Sequence, residues 1–193
     1  MKVESLGLTG VYLITPDRFD DARGHFSESW NAATLDQHGI TLNFVQDNQS
    51  YSRKVGTVRG LHYQAPPYAQ DKLVRVVQGA IFDVAVDVRQ GSVAYGQWAG
   101  AELSAENGRQ ILVPKGFLHG FVTRAPDTIV LYKTSAPYMA EADGAVAFDC
   151  PDLAIPWGIA AGDAVLSARD AAAPRTADWH SPFSCTDIER DAA

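Results

Sequence analysis

Residues 72–88, KLVRVVQGAIFDVAVDV, decide the fold class. KLVRVV is rich in β-branched residues and runs into a turn at Gln78-Gly79. Beyond the turn, Phe82, Val84, Val86 and Val88 fall on one face, while Asp83, Ala85 and Asp87 fall on the other. That period of two belongs to a strand. Outward from this stretch the same signal recurs in GLTGVYLIT (7–15), LNFVQDNQS (42–50), GTVRGLHYQ (56–64), RQILVP (109–114), HGFVTRA (119–125) and TIVLYKTS (128–135). Pro66-Pro67, Gly91-Ser92, Pro114-Lys115-Gly116 and Ala125-Pro126-Asp127 punctuate them. Helical signals are thin. NAATLDQHG (31–39) has Asn31 as N-cap and Gly39 past its end, and SARDAAAP (167–174) starts a second helix from Ser167. Many short strands at similar spacing predict an all-β antiparallel sandwich or barrel of the jelly-roll kind with a few short helices. One domain is expected over residues 1–193, with a less regular, less tightly packed segment from about residue 158.

The chain has 193 residues, 46% hydrophobic and 20% charged, with a formal net charge of −7. That balance argues against general nucleic-acid binding, which rests on phosphate neutralisation by Lys and Arg. It still allows an anionic small molecule wherever a few cations converge. Two late cysteines, Cys150 and Cys185, form no multi-bridge framework and point to a reducing compartment. The opening MKVESLGLTGVYLITPDRF lacks the basic and apolar regions of a signal peptide, and no apolar run reaches membrane-spanning length. A cytoplasmic protein is the expectation, with no membrane and no nucleic-acid partner.

Arg59, His62, Gln64 and Lys72 sit within fourteen residues among valines, leucines and tyrosines. Each has a plain explanation when taken alone. A strand histidine is more often packed or surface-exposed than catalytic, and His119 in PKGFLHGF fits a turn. Tyr132 fits a packed aromatic with a wet hydroxyl, while Lys72 and Arg59 fit edge charges. Asp83 and Asp87 share a face that reads as solvent-facing.

Read together, the segments DARGHFSESW, VQDNQS, VRGLHYQ, DKLVRVVQGAIFDVAVDVRQGS, VPKGFLHGF, VLYKTSAPY and LSARD occur in an order that resembles the dTDP-4-dehydrorhamnose 3,5-epimerase family. The resemblance runs from about Thr9 to Asp170. It implies a cupin-like jelly roll, a homodimer, and a dTDP-sugar substrate, dTDP-4-dehydro-6-deoxy-D-glucose, whose C4 ketone acidifies C3 and C5. It implies no cofactor and no metal. By the same resemblance His62 is the base, Asp170 its carboxylate partner, Tyr132 the opposite-face acid, and Lys72 the partner of the C4 oxyanion. Arg23, Glu28, Gln46, Asp47, Asn48, Arg59, His119, Tyr138, Asp143 and Arg169 correspond to nucleotide-sugar contacts, with Arg23 reaching the partner's site. The chemistry has a reason for each residue type. Imidazole titrates near neutrality, a carboxylate fixes its tautomer, and a phenol stays protonated. Arginines suit a diphosphate.

Two features depart from this pattern. Strict alternation puts Arg59 and His62 on opposite faces, so a bulge at Gly60 is needed to bring both inward. Asp143 stands where the family usually has Glu. Three rival readings carry distinct signatures. A metal-dependent cupin needs a paired His-x-His, but Gln64 stands where the second histidine belongs. A relative epimerising only C3 or only C5 shares the machinery. A non-catalytic sugar-binding jelly roll lacks the base or acid, and both His62 and Tyr132 are present.

Overall fold

The computed structural model describes residues 1–185. Its strands are β1 (Lys2–Ser5), β2 (Tyr12–Thr15), β3 (Phe19–Asp21), β4 (Gly24–Phe26), β5 (Gln46–Ser52), β6 (Val58–Gln64) and β7 (Lys72–Gln78). They continue as β8 (Ala80–Asp87), β9 (Trp98–Ser104), β10 (Gln110–Val113), β11 (Phe117–Thr123), β12 (Thr128–Thr134) and β13 (Asp143–Ala145). A six-stranded sheet in the order β1-β2-β10-β7-β12-β5 faces a five-stranded sheet in the order β13-β6-β11-β8-β9. The strand pairs are antiparallel. The turn after Gln78 is where the chain crosses from one sheet to the other. Gly79 permits it with φ +78°, at a spot where a Cβ would lie 2.3 Å from Thr128 Oγ1.

Three apolar layers follow. Leu13, Val74, Val76, Ile81, Ala85, Ile111, Phe117, Phe121 and Val130 fill the space between the sheets. The outer face of the five-stranded sheet packs Val84, Val86, Leu118 and Val122 under Phe148, Leu153, Trp157 and Phe183. The outer face of the six-stranded sheet packs Ile14, Leu73 and Leu112 under Leu35 and Ile40, with Trp30 and Phe44 alongside. Leu35 belongs to helix α1 (Ala32–Asp36), capped as expected by the Asn31 side chain, which accepts from the Thr34 N–H. The inner strands are covered on both sides, which is why KLVRVV and GFLHGFV read as nearly continuous apolar runs.

That double cover corrects two expectations. Asp83 and Asp87 do alternate with the valines, but their face turns inward between the sheets, and both carboxylates are completely buried. Asp87 is satisfied by Arg89 and by the Ser92 hydroxyl. Within the described residues, the segment from residue 158 carries helix α2 (Ala168–Ala171) and two 3-10 turns, yet it buries Phe183 and packs Trp179 against the outer face. It is irregular without being loose.

One irregularity in β6 matters for everything below. His62 pairs with His119 and Arg59 with Phe121, so three steps along β6 match two along β11. Val58 and Leu61 both enter the outer apolar layer, which leaves Arg59 and His62 facing inward together. Gly60 carries this bulge. It has φ +134°, and a Cβ there would sit 2.6 Å from the Gly120 Cα.

Candidate active site

A cavity of about 490 Å³ opens between the two sheets. The five-stranded sheet contributes Arg59 and His62 from β6 and His119 from β11. The facing sheet contributes Ser50 from β5, Lys72 from β7 and Tyr132 from β12. Tyr138, Asp143, Arg169 and Asp170 complete the wall.

His62 and Asp170 form a pair, with Nε2 and Oδ1 2.5 Å apart. Asp170 is held by its own helix, because Ser167 at the N-cap of α2 accepts from the Asp170 N–H. Burial raises the Asp170 carboxyl, but the hydrogen bond and charge of His62 together with Ser167 and Arg169 outweigh it. The group titrates below the usual carboxylate range. The Tyr132 hydroxyl is pushed up by burial, so it stays protonated. Lys72 is partly accessible only because the cavity opens onto it. Loss of solvation pulls its ammonium group down to about 8, against the attraction of Asp143 and Asp83.

The sequence reading had set Asp83 aside. Both its oxygens lie against His119 Nε2, at 2.9 and 3.0 Å. Burial raises this carboxyl, while His119 and Lys72 pull the other way. The signal available in the sequence was an acidic residue on an apolar strand, which cannot be separated from a solvent face until the covering segments are placed.

A polar cluster borders the cavity. Asp143 Oδ2 accepts from Arg169 at 2.5 Å and from the Tyr138 hydroxyl at 3.1 Å. Gln46 accepts from the Tyr138 N–H and donates to Asn48 Oδ1. Gln64 is buried and spent on backbone: it donates to the carbonyls of Tyr68 and Pro137 and accepts from the Met139 N–H. It thereby clamps the loop that carries Tyr138. Arg59 is braced by Ser52 Oγ and the Tyr51 carbonyl.

Arg59, His62, Lys72, His119, Tyr132, Tyr138, Asp143, Arg169 and Asp170 therefore converge on one cavity. Gln46 and Asn48 sit beside it through Tyr138 and Tyr132. Three of the expected residues are not brought in. Asp47 alternates to the outward face of β5 and pairs with Lys133 at 2.9 Å. Glu28 is bonded to Asn31. Arg23 lies on the β3–β4 hairpin, its side chain 90% exposed and paired with Asp21. Ser50, Gln70 and Ser167 line the cavity without having been anticipated as site residues, and so does Gln64, which stood out in the sequence but had no site role assigned. Among the described residues, Ser50 Oγ is the one buried side-chain polar atom without a hydrogen-bond partner.

A jelly-roll sandwich that sets a histidine–carboxylate pair opposite a half-buried lysine and a phenol defines the class, an acid–base enzyme working inside a β-sandwich. The comparisons narrow it. The family profile described as dTDP-4-dehydrorhamnose 3,5-epimerase matches residues 5–178. A dTDP-4-dehydrorhamnose 3,5-epimerase of Sinorhizobium fredii is 49% identical over 174 residues, 90% of this chain and 89% of that protein. A solved 3,5-epimerase from Legionella pneumophila, in complex with dTDP-4-keto-L-rhamnose, is 40% identical. It superposes with a TM-score of 0.89, covering 95% of this chain and 97% of that one. A 3'-monoepimerase from Streptomyces bikiniensis, in complex with dTDP-quinovose, is 29% identical with a TM-score of 0.85, over 97% and 95% of the two chains. The chain belongs to the dTDP-4-dehydrorhamnose 3,5-epimerase family.

Proposed function

We propose that this protein converts dTDP-4-dehydro-6-deoxy-D-glucose to dTDP-4-dehydro-L-rhamnose by inverting C3 and C5, with no metal or redox cofactor. The observation that carries the reading is the placement of His62–Asp170 on one wall and Tyr132 with Lys72 on the facing sheet of one cavity. With Nε2 engaged by Asp170, Nδ1 of His62 is the nitrogen that takes the proton, and the carboxylate stabilises the resulting imidazolium. The C–H electron pair passes into an enolate whose C4 oxygen is met by the Lys72 ammonium, a contact of the kind typically worth about 3–4 kcal/mol. The Tyr132 hydroxyl returns a proton from the opposite side and is reprotonated from solvent, to which the His62 imidazolium gives up the proton it took, so that both groups are restored. Two rounds, with the ring repositioned between them, invert both carbons flanking the ketone.

Arg59 and Arg169 serve the diphosphate, Tyr138 packs on the nucleotide, and His119, Gln46 and Asn48 add polar contacts. Arg169 leaves Asp143 to do so. The described residues offer no group of three His, Cys, Asp or Glu side chains for a metal, and Gln64 is committed to its loop.

The active species is a homodimer. Phe19 and Phe26, cross-strand partners on the β3–β4 hairpin, are 63% and 70% exposed, and the hairpin joins neither sheet. An isolated two-stranded hairpin is marginal, and a second copy gives it a surface. Arg23 and Glu28 then act across the interface. Cytoplasmic location belongs to the same reading; Cys150 and Cys185 are free thiols.

Turnover in D2O tests the mechanism. Deuterium is expected at both C3 and C5, and Tyr132→Phe retains exchange while giving little inverted product. Label at C3 alone converts the assignment to a monoepimerase. Substrate binding without label at either carbon removes the carbanion mechanism.

A further inference from the structure

Asp83 is a fully buried carboxylate, bonded to a residue of the cavity wall, that the reaction above leaves without a task. Its inward neighbours on β8, Ile81 and Ala85, are apolar and belong to the core between the sheets. Packing there does not call for a charge. Burying a carboxylate is unfavourable unless it is well paired, and the side chain's hydrogen bonds go to one imidazole nitrogen. That imidazole lines the cavity that also contains Lys72.

We propose that Asp83 is a positioning residue for the enolate-stabilising lysine: its buried negative charge holds Lys72 as the ammonium ion and fixes the His119 ring beside it. The inference rests on the role given to Lys72 above. Lys72 on β7 feels Asp83 from β8, Asp143 from β13 and Arg169 from α2, and it shares the cavity with His62, His119 and Tyr132. Asp143 also pulls on Lys72, but it is bound to the Arg169 guanidinium at 2.5 Å, whose positive charge opposes part of that pull. Among the described residues Asp83 meets no guanidinium; its hydrogen-bond partner is the His119 ring, and its charge acts on Lys72 as well. Burial has already brought the ammonium down to about 8. Losing one facing anion brings that midpoint to about neutrality, so that a large share of Lys72 is then uncharged. His119 is fixed at the same time: with Nε2 held by both carboxylate oxygens, Nδ1 is the nitrogen left for the ligand.

The test is an NMR titration of isotopically labelled Lys72 in wild type and Asp83→Asn. The Lys72 midpoint is expected to fall by about one pH unit or more in Asp83→Asn, as for loss of a nearby opposite charge. The alkaline limb of kcat/KM follows it downward, and the acidic limb stays in place. A purely structural role lowers thermal stability and leaves the Lys72 midpoint where it was. An unmoved midpoint in folded Asp83→Asn overturns the proposal. If that variant does not fold, Lys72→Met reports the same coupling from the other side. Interaction between two titrating sites is reciprocal, so the Asp83 carboxyl must titrate higher once Lys72 is gone. No change there is equally fatal. The titrations do not depend on turnover. A shifted midpoint in a protein that epimerises no dTDP-sugar keeps the coupling and removes the epimerase reading.

Discussion

Asp170 meets His62 across 108 residues of chain, and in the proposed mechanism that contact turns an ordinary strand histidine into a base with a fixed tautomer. His62→Ala is expected to lower kcat by about 10³-fold or more, while the Kd for dTDP stays within a few-fold of wild type. Asp170→Asn costs less than His62→Ala but still about 10²-fold or more, because the amide no longer fixes the ring's tautomer and lacks the charge that stabilises the imidazolium. Stopped-flow turnover and calorimetric dTDP binding separate the two effects. Activity of His62→Ala within tenfold of wild type removes it from the base role. Lys72 sets the other boundary. In the proposed mechanism the ammonium form is the useful one, and it predominates below about 8, so wild-type kcat/KM is expected to decline as pH rises through that value.

At the scale of single elements, β6 decides whether the site exists. A regular strand would turn Arg59 away from His62, and the bulge at Gly60 lets both face the cavity. Gly60→Ala combines a left-handed φ with a backbone clash at Gly120. A loss of roughly 2–6 kcal/mol is expected in chemical denaturation, since strained φ and overpacking each cost about 1–3. Whatever fraction folds should still lose activity, because His62 and Arg59 are re-aimed. A folded, fully active Gly60→Ala would mean that the bulge does not position the site. This element also shows how far the sequence could be read. Alternation and punctuation were enough for β7, β8, β11 and β12, and caps at Asn31 and Ser167 marked both helices. The Gly60 bulge was legible as a conflict, because two residues wanted the same face. Asp83 was not legible, because period two names a face without saying what covers it. The cover comes from Trp157 and Phe183 on one side and the opposite sheet on the other, all remote in sequence. Gln64 was legible only as a missing metal ligand. Its clamp on the Tyr138 loop depends on backbone atoms of residues 68, 137 and 139, and backbone atoms leave no mark in a side-chain pattern.

At the scale of the whole molecule, the hairpin places Arg23 outside the cavity of its own chain while presenting Phe19 and Phe26 to solvent. If two copies pair about a two-fold axis, each lends its hairpin to the other, and each complete site draws His62 from one protomer and Arg23 from its partner. Complementation distinguishes this from a site built within one chain. Arg23→Ala and His62→Ala homodimers are each impaired at low substrate concentration, the first in binding and the second in proton abstraction. After unfolding and co-refolding in equal amounts, half the dimers are mixed. In a mixed dimer, the protomer that retains His62 receives an intact Arg23 from its partner, and the other site carries both lesions. About one quarter of all sites are then whole, so kcat/KM recovers to about a quarter of the wild-type value. An arginine acting within its own chain gives no recovery beyond the average of the two parents. Light scattering on the same samples establishes whether dimers are present, and Phe26→Ser should shift them toward monomer by removing an apolar anchor from the hairpin. Recovery at the level of the parental average in a preparation shown to contain mixed dimers would place Arg23 in its own chain's site or in none.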